Sequence, residues 1–334
     1  MQALVFTADN QLEITEVPNP EVREDDVLVA VKAVGICGSD VEGYLGKTGR
    51  RVPPLIMGHE LAGKVKTAPK SSGLEPGDTV TVHPKLFCDQ CSFCTSGRTN
   101  ICPHGKFLGV MHENGGLAEF VAVPARYVYR VNPAVPSEHA CLAEPLAVVT
   151  HAAALLPPTV LQQAQQILIV GGGPIGLLLL QVLRSMVATP ITVSDLLPTR
   201  RQLALSLGAK SVFDPASDSI TPAFDVAFEA VGAAASAAQS LDALQLGGNT
   251  VWIGNAQKHI EINMQAIVTR ELTVHGSFLF TETDFQAALK LLESGSLQLS
   301  PLITVKHGLE HGPDLFKALA APRQQAITKA VLTL

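Results

Sequence analysis

Four cysteines cluster in the first third of the chain: Cys88, Cys91, Cys94 and Cys102. Two residues separate each of the first three, and seven residues separate the last pair. Four thiolates at such spacing can close a tetrahedral shell around Zn²⁺, with metal–sulfur bonds of about 2.3 Å. Chance grouping of buried thiols is a weak explanation, since the chain has only two other cysteines, Cys37 and Cys141. The closed shell predicts a structural zinc site.

A second set of ligand types lies in two short segments, GICGSD (35–40) and GHE (58–60). Cys37, His59 and Glu60 would supply three ligands and leave a fourth position for water or substrate, which is the catalytic zinc pattern. Glu144 is another candidate carboxylate, because a charge inside an apolar helix is costly unless it is paired or metal-bound. Adjacent side chains of an extended segment point to opposite faces, so His59 and Glu60 are not both expected to face one ion. One of the two glutamates is therefore predicted to bind directly and the other through water.

A glycine-rich turn follows the apolar run Ile167–Val170. Its residues are Gly171, Gly173, Pro174, Ile175 and Gly176, which fit the dinucleotide-binding pattern G-x-G-x-x-G. The glycines permit a tight turn, close approach to a pyrophosphate and close packing of helix against strand. A helix predicted to begin here would point its positive N-terminal end at the phosphates.

Asp195 ends the next predicted strand, 19 residues after Gly176. A carboxylate there accepts hydrogen bonds from the adenosine ribose and repels a 2′-phosphate, so NAD is favoured over NADP. Capping of the following helix is the alternative role for Asp195. Arg200 and Arg201 keep NADP open, since a guanidinium could bind a 2′-phosphate.

Strand and helix patterns divide the chain into two parts. Up to about residue 130, period-two apolar segments and frequent glycines and prolines predict a small irregular barrel, with strands at Val27–Ala33 and Thr79–Val82. Residues 138–156 read as one helix, after which strands and helices alternate, as in a parallel sheet with helices on both faces. Six strands are predicted there: Ile167–Val170, Ile191–Ser194, Ser211–Phe213, Asp225–Glu229, Thr250–Ile253 and Leu272–His275. The last part returns to mixed structure, with a helix over Phe285–Glu293 and a strand over Ala330–Leu334.

Composition limits the function classes. The 334 residues include 47% apolar and 16% charged residues, enough for two buried cores, and the formal net charge of −6 gives no general attraction to nucleic acid or anionic membranes. Lys85, Arg98 and Lys106 are too sparse for a nucleic-acid-binding zinc ribbon. The chain shows neither a secretory signal pattern nor 18 unbroken apolar residues, and clustered cysteines favour metal over disulfides. A cytoplasmic location is expected.

Taken together, these motifs resemble the zinc-dependent medium-chain dehydrogenases over essentially the whole chain. The resemblance implies an α/β protein with a GroES-like β-rich catalytic domain (residues 1–145 and 287–334, zinc lobe about 85–105) and a doubly wound Rossmann domain (146–286). AEPLA (143–147) is similar to the sorbitol and threonine dehydrogenase branch, in which Cys37, His59 and Glu60 would hold zinc and Glu144 would lie near its water. The resemblance also implies that Asp40 orients His59 and that Arg200 lies against the adenosine, which supports NAD.

The implied reaction is zinc-assisted oxidation of a secondary alcohol by NAD, with two zinc ions per chain. In this hypothesis Ser39 first accepts the alcohol proton and passes it through the cofactor ribose, and Glu42 ends the path. Many family members have histidine at the position of Glu42 and an aromatic residue at that of Gly43. Residues 276–281 also lack the arginine that sorbitol enzymes place near substrate, so the relay and the pocket do not transfer directly.

A polyol is the leading substrate, and an amino alcohol such as threonine, a cyclitol or a sugar-alcohol phosphate is the alternative. Lys47, Arg50 and Arg51 could reach a phosphorylated substrate, but we interpret their loop as solvated. A zinc-free enone reductase using NADPH and a non-catalytic zinc- or nucleotide-binding protein are the competing classes. The apolar segment Leu272–Phe280 predicts an edge strand that pairs with another subunit in a homodimer or homotetramer.

Overall fold

The computed structural model describes residues 1–321 and 327–334. These residues form two compact units. Unit 1 comprises Met1–Glu144 and Thr281–Leu334, and unit 2 comprises Pro145–Phe280. Within the described residues, no helix has both the length and the apolar character needed to cross a bilayer.

The first segment of unit 1 consists mainly of short strands. They are β1 (Gln2–Ala8), β2 (Gln11–Glu16), β3 (Asp26–Ile36), β4 (Leu55–Ile56), β5 (Glu60–Thr67), β6 (Thr79–Val82), β7 (Lys85–Leu86), β8 (Lys106–Phe107), β9 (Phe120–Pro124) and β10 (Val128–Arg130). Its helices are α1 (Gly38–Tyr44), α2 (Ser92–Thr95), α3 (Ser137–Ala140) and α4 (Ala143–Ala154), the last of which continues into unit 2. Single 3₁₀ turns occur at Lys70–Ser72, Thr99–Ile101 and Ala125–Tyr127.

Unit 2 alternates strands and helices. Its remaining elements are α5 (Pro158–Gln163), β11 (Ile167–Val170), α6 (Pro174–Met186), β12 (Ile191–Ser194), α7 (Pro198–Ser206), β13 (Ser211–Phe213), β14 (Phe224–Glu229), α8 (Ala234–Asp242), β15 (Leu244–Trp252), α9 (Met264–Thr269) and β16 (Thr273–Gly276). The strands are parallel in the order β13-β12-β11-β14-β15-β16. This is the order of a Rossmann sheet, whose nucleotide site lies at the reversal point next to the first strand.

The chain then returns to unit 1. The returning elements are α10 (Glu282–Glu293), β17 (Ile303–Gly308), α11 (Gly312–Ala320) and β18 (Lys329–Thr333), with 3₁₀ turns at Ser300–Leu302 and Leu309–His311. Strand β18 pairs with β3 and β17, and so completes a sheet in the order β10-β6-β5-β3-β18-β17, with β9 also paired to β3. The last strand therefore lies directly beside the strand that leads into Cys37.

Three predicted elements differ from the structure. The strand expected over Thr250–Ile253 begins earlier, since β15 spans Leu244–Trp252. The helix expected over 138–156 is two helices, α3 and α4, because Pro145 lies in the first turn of α4, where proline is tolerated, and not in a helix interior. The edge strand expected over Leu272–Phe280 is shorter. It ends at Gly276, and Leu279 has a left-handed φ of 52°, which a strand cannot contain.

Candidate active site

Strand pairing brings the predicted ligands of the second metal set together. Strands β3 and β5 are antiparallel, and Gly35 lies opposite Glu60 in their register. Cys37 follows β3 directly and is the N-cap of α1. A side chain at Gly35 would overlap the Glu60 carboxylate, so glycine is required at this close approach.

His59 and Glu60 contribute to the same cluster, although we expected them to face opposite ways. Ligand atoms of Cys37, His59 and Glu60 all lie within 4.8 Å of one another. The alternation argument fails because β5 begins only at Glu60 and because Gly58 turns the chain with a left-handed φ of 91°. A thiol, an imidazole and a carboxylate at these separations form a donor set that suits Zn²⁺.

The carboxylate of Asp40 lies next to the imidazole ring of His59. Its Oδ1 lies 3.3 Å from Nδ1 of His59 and accepts a hydrogen bond of 2.8 Å from Nη2 of Arg51. Burial raises the pKa of Asp40, but His59 and Arg51 outweigh it and hold the pKa well below its usual range. Asp40 is therefore held as an anion beside Nδ1 of His59, an arrangement that would leave Nε2 for a metal.

Neighbouring groups also raise the pKa of the His59 imidazole. Burial lowers the pKa of His59, but its neighbours Asp40 and Cys37 raise it by more, so the net pKa lies well above its ordinary value. The interior around His59 is thus negative enough to stabilise a positive charge. A divalent ion at the cluster would meet this requirement.

Glu60 forms an ion pair with a buried lysine. The ammonium of Lys329, on β18, forms an ion pair with Oε2 of Glu60 and donates a 2.9 Å hydrogen bond to the carbonyl of Ile36. Both side chains are almost completely buried, at 3% exposed for Lys329 and 2% for Glu60. The pair holds the Glu60 carboxylate in the cluster with Cys37 and His59.

Glu144 is buried near this cluster but is not part of the group of ligand atoms found within 4.8 Å of one another. Burial raises its pKa to about 7, with a further contribution from Glu60, while His59 and Lys329 act in the opposite direction. A carboxyl of this pKa can carry or release a proton near neutral pH. Cys141 is fully buried, and burial raises the pKa of its thiol, so it serves packing and not metal binding.

The two residues of the hypothetical proton path are accessible. Ser39 is exposed and accepts a 3.3 Å hydrogen bond from Nη2 of Arg51. Glu42 is 34% exposed and pairs with Lys47 at 3.3 Å. The loop that we interpreted as carrying three solvated cations therefore has only Lys47 and Arg50 at the surface. Arg51 is buried because Asp40 compensates its charge.

The four-cysteine lobe has the geometry of a tetrahedral metal site. Its sulfur atoms are separated by 3.5 Å between Cys88 and Cys102, 3.9 Å between Cys91 and Cys102, and 4.0 Å between Cys88 and Cys94. The edge of a ZnS₄ tetrahedron with 2.3 Å bonds is about 3.8 Å. The backbone amides of Gln90 and Cys91 lower the pKa of Cys88 to about 6, which favours the thiolate that zinc requires.

In unit 2 the glycine turn lies at the end of β11, beside the reversal point of the sheet. Gly171 has a φ of 104°, and a Cβ at Gly176 would overlap the carbonyl oxygen of Gly171, so neither position accepts a side chain. Gly173 is the N-cap of α6, and Pro174 and Ile175 are its first two residues. The N-terminal amides of α6 are thus available to a pyrophosphate.

Asp195 lies beside this turn. Its Oδ2 accepts a 2.8 Å hydrogen bond from the amide of Gly172, and its Oδ1 accepts one of 2.8 Å from the amide of Leu197. Nη1 of Arg200 lies 3.7 Å from Oδ2 of Asp195, whereas Arg201 pairs with Asp214 at 2.8 Å. Arg200 is therefore the arginine that lies next to the nucleotide turn. The alternative capping role is wrong, because Leu197 is the N-cap of α7 and no side chain caps that helix. The Asp195 carboxylate orders the loop before α7 and keeps oxygen lone pairs for a ribose.

Sequence reasoning missed two residues of the site, Arg51 and Lys329. Arg51 was placed in a solvated loop, and Lys329 was left unassigned just before the predicted final strand. A lysine next to an apolar strand end is a weak signal. Its partner Glu60 is 269 residues away, so only the fold reveals the pair.

Comparisons with known proteins agree with this geometry. Residues 23–133 match the alcohol dehydrogenase GroES-like domain, and residues 174–294 match the zinc-binding dehydrogenase domain. Sorbitol dehydrogenase of Bacillus subtilis (strain 168) is 32% identical over 328 residues, covering 94% of this chain and 92% of that protein.

Solved structures give the same result. A zinc-binding dehydrogenase from Sinorhizobium meliloti 1021, bound to NADP, superposes with a TM-score of 0.91 at 30% identity and covers 100% of this chain and 99% of that one. L-idonate 5-dehydrogenase from Escherichia coli superposes with a TM-score of 0.91 at 27% identity, with 100% and 98% covered. This chain belongs to the zinc-dependent medium-chain alcohol and polyol dehydrogenases.

Proposed function

We propose that this protein oxidises a secondary alcohol group of a polyol, or of a related sugar alcohol or sugar acid, and transfers the hydride to NAD. The observation that carries the proposal is the cluster of Cys37, His59 and Glu60, whose three ligand types lie within 4.8 Å of one another. Three protein ligands leave a fourth position for substrate. The relatives named sorbitol dehydrogenase and L-idonate 5-dehydrogenase support hydroxyl groups on a carbon chain as the substrate class.

When bound, zinc lowers the pKa of an alcohol and the nicotinamide accepts the hydride. The chain's own groups position these partners and manage the proton. Asp40 fixes the orientation of His59, and Lys329 fixes Glu60. Ser39 is the accessible hydroxyl near Cys37 that would accept the proton leaving the alcohol while it donates its own hydroxyl proton to the coenzyme ribose. Glu144, whose pKa burial raises to about 7, would hold or release a proton near neutral pH.

NAD as the coenzyme rests on Asp195. The carboxylate lies at the glycine turn, where it would accept hydrogen bonds from ribose hydroxyls and repel a 2′-phosphate. Arg200 lies 3.7 Å from that carboxylate, so its charge is partly neutralised before any ligand binds. The NADP in the Sinorhizobium meliloti relative makes the coenzyme a question for direct measurement.

The test is a screen of purified protein with polyols, sugar acids, amino alcohols and sugar-alcohol phosphates, with NAD and NADP in parallel and reduced coenzyme followed at its near-ultraviolet absorbance. We expect turnover with a polyol or sugar acid and NAD, and none in the Cys37→Ser variant. A zinc-loaded protein that binds coenzyme but oxidises no alcohol of any class would instead support the non-catalytic alternative.

We further infer a cytoplasmic homo-oligomer. Six cysteines without disulfide pairing suit a reducing compartment. Strand β16 is at one edge of the unit 2 sheet, and Leu246, Met264 and Val268 of the same unit are at least 65% exposed, which supports association with a second copy. Light scattering of the purified protein tests this, and a monomer at micromolar concentration would contradict it.

A further inference from the structure

Arg51 is an unusual feature of this site, because its charged side chain is only 4% exposed. Burial of a guanidinium is costly unless an anion and hydrogen-bond acceptors compensate it. Here the anion is Asp40, which is 1% exposed and accepts a 2.8 Å hydrogen bond from Nη2. The strand-like contact between Arg51 and Met111 and the 2.7 Å bond from the Met111 amide to the Arg50 carbonyl anchor the backbone on either side.

The nitrogen Nη2 of Arg51 has two partners. It donates to Oδ1 of Asp40 and, at 3.3 Å, to Oγ of Ser39. One nitrogen with two hydrogens can serve both acceptors at once. Asp40 contacts Nδ1 of His59, so Arg51 connects the support of a zinc ligand with the hydroxyl proposed to take the substrate proton.

Gly43 provides the space for this arginine. A Cβ at position 43 would overlap Cγ of Arg51, and it would lie 3.2 Å from both Cδ and Nε. Gly43 lies in the last turn of helix α1, and the space that a side chain would take there is filled by the stem of Arg51.

We propose that Arg51 is a positioning residue, admitted by Gly43, that holds the Asp40 carboxylate against His59 and the Ser39 hydroxyl in a single orientation. This inference rests on the proposed function for the role of Ser39. A fixed hydroxyl accepts from the guanidinium with one lone pair, offers the other to the leaving proton, and donates its own proton onward to the coenzyme ribose. Arg51 touches no substrate, so its removal acts through Asp40 and Ser39.

The experiment compares Arg51→Met, Arg51→Lys and Gly43→Ala, with Arg50→Met as the matched control. Arg50 is the exposed neighbour in the same loop, and its replacement removes the same charge. Three quantities are measured on each variant: zinc per chain after dialysis against a weak chelator, the visible absorption of the cobalt(II)-substituted protein, and kcat and KM for the best alcohol found in the screen.

We expect Arg51→Met and Gly43→Ala to lower kcat about 10–100-fold, the usual range for partners of metal ligands, with little change in KM. They should also shift the cobalt spectrum and speed loss of the metal from the catalytic site. Arg51→Lys should retain metal through its charge but recover only part of kcat, because an ammonium does not reproduce the planar donor. Arg50→Met should match the parent within about twofold.

The proposal is overturned if Arg51→Met has the cobalt spectrum, metal retention and kcat of Arg50→Met, or if Arg51→Lys equals the parent in kcat. If Arg51→Met does not fold, Gly43→Ala tests the proposal instead, because that variant keeps the Arg51 side chain and only displaces it. If the parent oxidises no alcohol, the proposed function fails. Metal retention and the cobalt spectrum then still test whether Arg51 positions Asp40 and His59.

Discussion

Replacing Lys329 by methionine removes the buried cation that accompanies Glu60. Methionine is similar in length and apolar, so it fills the space and leaves the Glu60 carboxylate without its ion-pair partner. Both side chains are at most 3% exposed, and loss of one member of such a buried pair costs about 3–5 kcal/mol. Since 1 kcal/mol shifts the melting temperature of a domain this large by about 2–4 °C, the expected decrease is about 6–20 °C.

The loss should be greatest when no metal lies beside Glu60, because a divalent ion would compensate the same carboxylate. We would therefore measure thermal unfolding by circular dichroism in the Cys37→Ser background, which on this account lacks the catalytic ion. The control is Lys306→Met. Lys306 pairs with Glu138 at 3.1 Å but is 54% exposed, and an exposed pair of this kind contributes less than about 1 kcal/mol. If Lys329→Met lowers the melting temperature no more than Lys306→Met, the buried pair does not stabilise the site as described.

Three further predictions concern other parts of the molecule. Cys94→Ser should remove one zinc per chain, measured by elemental analysis, and lower the melting temperature, while the cobalt spectrum of the catalytic site stays unchanged. Asp195→Ala should raise the KM for NAD at least tenfold and improve the ratio of NADP to NAD turnover; an unchanged ratio would refute the assignment of Asp195 to the ribose. His83 is fully buried, and burial lowers its pKa to about 4 from 6.5. The unfolded chain therefore takes up a proton before the native protein does, and the free energy of unfolding should fall by about 3 kcal/mol between pH 6.5 and pH 4 from this residue alone. Urea titrations at pH 7 and pH 4.5 should show part of this decrease disappear in His83→Phe.

The fold of unit 2 could be predicted largely from local patterns. Ile167–Val170 and Ser211–Phe213 are apolar or β-branched segments bounded by turns, and both have the predicted strand limits. The predicted strand Leu272–His275 agrees with β16 to within one residue at each end, whereas the apolar residues after it continue the pattern and wrongly favoured a longer edge strand up to Phe280. Phe280 is buried by tertiary packing and not by the strand.

The candidate site shows where local reasoning stops. Residue types identified Cys37, His59 and Glu60, but their convergence depends on the β3–β5 register and on the turn at Gly58, which no spacing rule provides. The sequence pattern predicts Arg51 to be an ordinary cation in an exposed loop. Its charge is neutralised by Asp40, and only the folded structure brings these two side chains together.

The metal content of two matched proteins tests the central claim most directly. We predict two zinc ions per chain in the parent and one in Cys37→Ser, with the circular dichroism spectrum and NAD binding unchanged and alcohol oxidation abolished. Two zinc ions retained in Cys37→Ser, or undiminished turnover with that substitution, would contradict the assignment of Cys37 and its neighbours to a catalytic metal.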